Sequence, residues 1–88
     1  MTAMLKFVTE KDHIYALNAD GEMMAKVKFP EISPGIYDIC STDVDPSLRG
    51  QGIAGKLVQA AVNEIHRKGG NVQATCSYAA AWLKRHQK

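Results

Sequence analysis

Cysteine, proline, aromatic residues and net charge are all scarce in this 88-residue chain, and each scarcity excludes something. The two cysteines, Cys40 and Cys76, lie far apart and form no Cys-x-x-Cys pair. A structural zinc site needs about four clustered ligands, so no metal is expected. In a reducing compartment the two thiols are expected to stay free, each a small buried hydrophobe in the simplest case. The formal net charge is only +2, and lysine and arginine are scattered. A nucleic-acid binder would gather them into a patch or arm, so no nucleic-acid partner is expected. No apolar run approaches the roughly 20 residues of a membrane-spanning helix. Residues Met1 to Glu10 lack the apolar run and cleavage site of a secretory leader. Neither membrane nor export is therefore expected, and the cytoplasm is the expected location. What is present, 45% hydrophobic and 23% charged residues without repeat or low-complexity segment, describes one ordered domain over residues 1–88 with a small core.

The first half reads as strands. Phe7-Val8 starts one, and Ile14 to Asn18 gives a second, followed by the tight-turn pair Asp20-Gly21. In Met23 to Phe29, residues Met23, Ala25, Val27 and Phe29 alternate against Met24, Lys26 and Lys28, the pattern of a half-buried strand. Pro30 and Pro34-Gly35 predict a loop. Ile36 to Val44 predicts the next strand, which must stop before Pro46.

The second half changes period. Ile53, Leu57, Ala61 and Ile65 fall four apart, with Ala54, Val58 and Val62 beside them, one apolar stripe of a helix. Gly69-Gly70 ends it. Val72 to Thr75 predicts a short strand, and Ser77 a cap for a last helix in which Tyr78 and Trp82, and Ala79 and Leu83, pair at i, i+4. The fold class is α+β, a β-meander followed by helix, strand and helix.

The sharpest feature is Arg49-Gly50-Gln51-Gly52-Ile53-Ala54-Gly55-Lys56, between a strand and a helix. Glycines let a ligand approach the backbone, and the first N–H groups of a helix point outward and favour an anion. Phosphate chemistry follows before any family is named. Gly50-x-Gly52-x-x-Gly55 matches a dinucleotide fingerprint, but that motif should follow its strand directly and be answered by an acid about 20 residues on. Here Asp45 to Arg49 intervene and the next strand ends without an acid. Gly50-x-x-x-x-Gly55-Lys56 matches a P-loop until Leu57, where a hydroxyl should hold magnesium.

The string Val44-Asp45-Pro46-Ser47-Leu48-Arg49-Gly50-Gln51-Gly52-Ile53-Ala54 resembles the strand-to-helix junction of the GNAT superfamily, whose pyrophosphate motif is Gln/Arg-x-x-Gly-x-Gly/Ala. Cys76-Ser77-Tyr78 after a short strand, and His86 after the last helix, are similar to a short branch of N-acetyltransferases marked by a cysteine and a glycine. The likeness covers most of the chain. It departs where that branch has His-Thr-Glu-Val and this chain has Ser41-Thr42-Asp43-Val44, and where the branch continues past its final histidine.

The resemblance implies an acetyl-CoA-dependent N-acetyltransferase with acetyl-CoA as its partner and an unidentified primary amine as acceptor. It implies that Gly50 to Lys56, together with Arg49, hold the pyrophosphate, and that the backbone of Thr42, Asp43 and Val44 holds the pantetheine arm. Asp43 stands where the branch carries glutamate, either as a base or as a solvated strand-end acid. Cys76 precedes a helix N-terminus, which can bring a thiol pKa from about 8.5 to the range 3.5–7.5. That suits a proton donor to the leaving thiolate, or a thiolate that takes the acetyl group and passes it on, or an inert buried thiol; the donor is preferred, because an amine held there can attack the thioester directly. A second class of function stays open, a non-catalytic CoA-binding or protein-interaction module, because the chain is short of material to wall off an acceptor. Two strands joined through a helix should run parallel, and the strand ending at Val44 should splay from the one near Val72 to leave a slot.

Overall fold

The computed structural model describes residues 5–48 and 50–86. The alternating apolar segments form β1 (Lys6–Thr9), β2 (His13–Leu17) and β3 (Met23–Lys28), each antiparallel to the next. Ile14, Ala16, Ala25 and Val27 share the buried face. The β2–β3 turn is held by Asn18, whose Oδ1 accepts the N–H groups of Asp20 and Glu22 at 2.9 Å. Met23 departs from the expected alternation and is 54% exposed. The register slips between Ala16 and Leu17, so that Leu17 faces Met23, and the bulge takes Met23 off the buried stripe.

The segment predicted as a loop after Pro30 contains a strand, β4 (Glu31–Ser33), antiparallel to β5 (Ile36–Ile39). All three residues of β4 are exposed, so no apolar alternation announces it. The single strand expected over Ile36 to Val44 is two. Cys40 interrupts it, and β6 (Ser41–Val44) leaves β5 to pair antiparallel with β3. Ile39 is fully buried, while Thr42 pairs with fully buried Val27. These two inward residues are three apart, which a period of two cannot produce without a bulge. The strand expected over Val72 to Thr75 runs one residue earlier, as β7 (Asn71–Ala74), and pairs parallel with β5. Two sheets result, β1-β2-β3-β6 and β4-β5-β7.

A 3-10 turn, Pro46–Leu48, leads toward α1 (Ile53–Arg67). The helix buries Ile53, Leu57, Val58, Ala61, Val62 and Ile65 against β2, β3, β5, β6 and β7. Each fully buried aliphatic side chain contributes about 1.5–3 kcal/mol, so this one stripe fixes both sheets to the helix. Gly69 (φ 76°) ends it. Its N–H bonds His66 O, and that of Gly70 bonds Ile65 O, both at 2.9 Å, a Schellman closure. The last helix, α2 (Ser77–His86), packs on β7 and α1 and buries Ala79, Trp82 and Leu83. Its first bond runs from Ala80 N–H to Cys76 O at 2.8 Å, so the cap position belongs to Cys76 and not, as expected, to Ser77. No helix among the described residues is long and apolar enough to cross a membrane.

Candidate functional site

The two sheets part at one carbonyl. Ile39 O accepts the N–H groups of both Thr75 (3.2 Å) and Cys76 (3.1 Å), and Ile39 with Ala74 is the last register pair of the β5–β7 ladder. From there β6 turns onto β3 and becomes an edge strand. One side of its backbone has no strand partner and can pair with an extended ligand. The expected splay is therefore present. A cavity of about 410 Å³ fills it, lined by Thr42, Val44, Leu48, Gly50, Gly52, Ile53, Ala54 and Tyr78.

The floor of this cavity is the start of α1. The helix begins at Ile53, because Gly52 (φ 73°) takes the cap position in the left-handed region. Gly50 is also left-handed, at φ 85°. A Cβ at either glycine would meet no protein atom within 4 Å, so both present open backbone to the cavity. No side chain caps the helix. The N–H groups of Ala54 and Gly55 find no acceptor among the described residues. Those of Gln51 and Lys56, both expected in the cradle, are committed to Leu48 O (3.3 Å) and Gly52 O (3.1 Å). Gly55 has a different task from the one its spacing suggests. A Cβ there would sit 3.4 Å from the Tyr78 hydroxyl and 3.6 Å from Trp82 Nε1, ordinary contact distances, so its α-carbon faces α2 and not the cavity. No acid occupies the first turn, and exposed Lys56 does. A cation there opposes the helix dipole unless an anion is bound between them. Open glycines, free N–H groups and Lys56 fit a pyrophosphate. Arg49 lies outside the described residues.

Cys76 is not in the cavity lining and reaches the slot through Thr42, which is. Its Sγ is 3.7 Å from Thr42 Oγ1 on β6. Burial pushes the thiol up, but the N–H groups of Ala79 and Tyr78 at the start of α2, with the hydroxyl and backbone of Thr42, outweigh it and hold the thiol below its usual value. Cys40 is exposed and remote from these donors in sequence.

Two carboxylates lie on the sheet face opposite α1. Asp43 is exposed and accepts from Ser41 Oγ at 3.1 Å. Asp38, which sequence reasoning missed, is 6% exposed. Its Oδ2 accepts the Thr75 hydroxyl at 2.8 Å, while Oδ1 is buried without a partner among the described residues. A buried carboxylate oxygen left unpaired is costly, and this one sits on the residue before the Ile39 carbonyl where the ladder ends. A lone acid between Tyr37 and Ile39 was its only signal in the sequence.

Residues 14–88 match the model of the GCN5-related N-acetyl-transferases. The chain belongs to this family. As an N-acetyltransferase it shares its fold with a GCN5-like protein from Staphylococcus aureus, at TM-score 0.74 and 23% identity over 92% of this chain and 79% of that one. It is also similar to a GNAT family N-acetyltransferase from Escherichia coli in complex with CoA, at TM-score 0.65 and 22% identity over 70% of this chain and 38% of the other. Ard1 from Thermoplasma volcanium superposes at TM-score 0.69 and 16% identity, over 86% and 54%. The N-acetyltransferase chain thus spans about four fifths of the first of these proteins and roughly half or less of the other two. A sequence search of curated proteins gave no match.

Proposed function

We propose that residues 1–88 form a single acetyl-CoA-binding domain that transfers an acetyl group to a primary amine. The observation that carries this is the parting of the sheets at Ile39, which opens a slot running onto the uncapped start of α1. When bound, acetyl-CoA supplies the activated acetyl thioester. The N–H groups of Ala54 and Gly55 receive pyrophosphate oxygens in the space left by Gly50 and Gly52, with Ile53 beneath. Lys56 adds charge, and Arg49 joins it on its place in the motif. The helix end favours such an anion by about 0.3–2 kcal/mol. The free edge of β6, from Thr42 to Val44, pairs with the amides of the pantetheine arm.

On the other face, the acceptor nitrogen must lose a proton before it attacks, an obstacle of about 4–5 kcal/mol for a lysine-like amine at pH 7. Asp38 Oδ1 takes that proton, being unpartnered and next to the point where the ladder ends. Asp43, exposed on the same face, draws the ammonium in. Cys76 holds a proton at Sγ for the leaving sulfur, and the N–H groups that lower its pKa make it the better acid.

Calorimetric titration with CoA, paired with thiol release from acetyl-CoA over a panel of amines, tests this. The expected result is saturable CoA binding and release that depends on the amine. Binding without turnover for every amine would point to a non-catalytic CoA-binding module, and absence of binding would overturn the proposal.

A further inference from the structure

Both helices lie on one side of the sheets. α1 sits on the face of Ala25 and Val27, and α2 packs against α1 and β7. Among the described residues no helix covers the opposite face, where Asp38 and Asp43 lie. An acceptor there meets a surface that no described helix walls off, with Asp43 exposed on it and Asp38 buried just beneath.

Lysine stands beside the reaction point on this open face. Lys28 O accepts the Cys40 N–H at 3.1 Å, and Lys28 pairs with Ser41 on one side and His13 on the other. Ser41, Lys28 and His13 thus form one row across three strands. Lys26 follows on the same face, in register with Asp43. Neither Lys26 nor Lys28 forms an ion pair among the described residues, whereas Asp12 is held by His13 Nδ1 at 3.0 Å. A cavity of about 240 Å³, lined by Asp12, His13, Lys28 and Pro30, closes the row. Small-molecule pockets run from about 300 to 1,000 Å³, so this one suits a single side chain.

An acceptor amine reaches the protein as an ammonium, and Lys28 repels it. An acceptor that brings its own carboxylate turns that repulsion into attraction. We propose that the acceptor is a protein amine within an acidic stretch, one of whose Asp or Glu side chains seats against Lys28 while the amine meets Asp38. This rests on the acetyl transfer proposed above and adds the class of acceptor to it.

Three probes test it: a blocked peptide with one lysine between glutamates, the same peptide with arginines in place of the glutamates, and spermine. The first readout is amide chemical-shift change in the CoA-bound protein, and the second is thiol release. The glutamate peptide is expected to shift the amides of Lys28 and His13 and to turn over about fivefold faster than the arginine peptide at limiting concentration, the size of one exposed charge pair. Lys28→Glu should reverse the preference and Lys28→Gln erase it, both with CoA affinity unchanged. Equal turnover of the two peptides, faster turnover of spermine, or no shift at Lys28 with the glutamate peptide would overturn the proposal. If CoA fails to bind at all, the acetyl transfer itself is at fault, and the shift experiment on the free protein still decides whether this face takes an acidic segment.

Discussion

The Sγ of Cys76 lies 3.7 Å from the Oγ1 of Thr42, across the gap where β6 has left its neighbour. The two residues are 34 apart in sequence and belong to different elements: Thr42 is on the free edge of β6, and Cys76 caps α2. The contact exists because the bulge at Cys40 turns Thr42 inward and the Ile39 carbonyl pins Cys76 opposite it. A thiol placed there touches a residue that lines the slot and sits at a helix N-terminus.

Cys76→Ala is expected to keep CoA affinity and slow turnover by about 10²-fold or more, the low end of what one acid–base group contributes. Cys40→Ala should change turnover far less, since Cys40 is exposed and separated from the cap. Stopped assays with a true acceptor amine, alongside calorimetry with CoA, give the two numbers. Turnover of Cys76→Ala equal to the parent would remove the acid role.

The thiol's depressed pKa has a sign that can be read with an alkylating reagent. Deprotonation of Cys76 should have its midpoint below the ordinary value of about 8.5, and Thr42→Val should move the midpoint upward by deleting one of the lowering contacts. An acid role is lost as pH rises through that midpoint. Stability runs the other way. The folded state binds fewer protons than the unfolded one between the two values, so it gains stability as pH rises across them and loses it as pH falls through the folded value. A Cys76 midpoint at or above that of a model thiol would contradict this.

Gly52 and Gly55 look alike in the sequence and should respond differently to alanine. Gly52 is left-handed at φ 73°, so Gly52→Ala strains the cap by about 1–2 kcal/mol and weakens CoA binding. Gly55 lies within α1, and an added Cβ reaches only ordinary contact with Tyr78 and Trp82. Gly55→Ala should therefore raise the melting temperature, through up to about 1 kcal/mol of helix propensity, with CoA affinity kept. Thermal melts and CoA titrations of both variants separate the two tasks.

Lys56→Glu should have opposite effects with and without ligand. In the free protein it replaces a cation by an anion in the first turn of α1, worth about 0.3–1 kcal/mol of added stability. With CoA it sets like charge against the pyrophosphate, so the dissociation constant should rise, and the rise should shrink in high salt. Unchanged CoA affinity at low salt would remove Lys56 from the site.

How much of this was legible beforehand depends on which residues had to announce it. The period of α1, the β2–β3 hairpin and the glycine-rich start of the helix are local patterns, and Ile53 to Ile65 or Asn18 to Gly21 are read without tertiary knowledge. The split of Ile36 to Val44 was not legible, because no glycine or proline breaks that run and the bulge at Cys40 comes from which neighbour each half pairs with. β4 was hidden for the opposite reason, since Glu31, Ile32 and Ser33 are all exposed and follow a proline. Gly55 matched a phosphate motif by spacing, yet only the position of α2 shows that its α-carbon faces Tyr78 and Trp82. Asp38 carried no motif at all, and its importance lies in a missing partner.

Asp38→Asn gives the most discriminating test of the acceptor side. The carboxylate is 6% exposed and has one hydrogen bond, from Thr75. Replacing it by an amide removes a buried carboxyl that forms no ion pair among the described residues, while an amide oxygen can still accept from Thr75. The fold should therefore be kept, with stability equal or slightly higher. If Oδ1 takes the proton from the acceptor, turnover should fall by about 10²–10⁴-fold with CoA affinity unchanged. Thr75→Val acts in the other direction. It leaves both carboxylate oxygens unpartnered and should destabilise the protein by about 1–3 kcal/mol, with Thr75→Ser restoring most of it. A residue that only holds β7 to β5 would lose melting temperature as Asp38→Ala and keep full turnover as Asp38→Asn. A residue that receives the proton shows its loss in turnover, and raising the pH, which supplies neutral amine without help, should recover part of the Asp38→Asn rate. Full activity in Asp38→Asn at neutral pH would assign the carboxylate to structure and return the proton to Asp43 or to water.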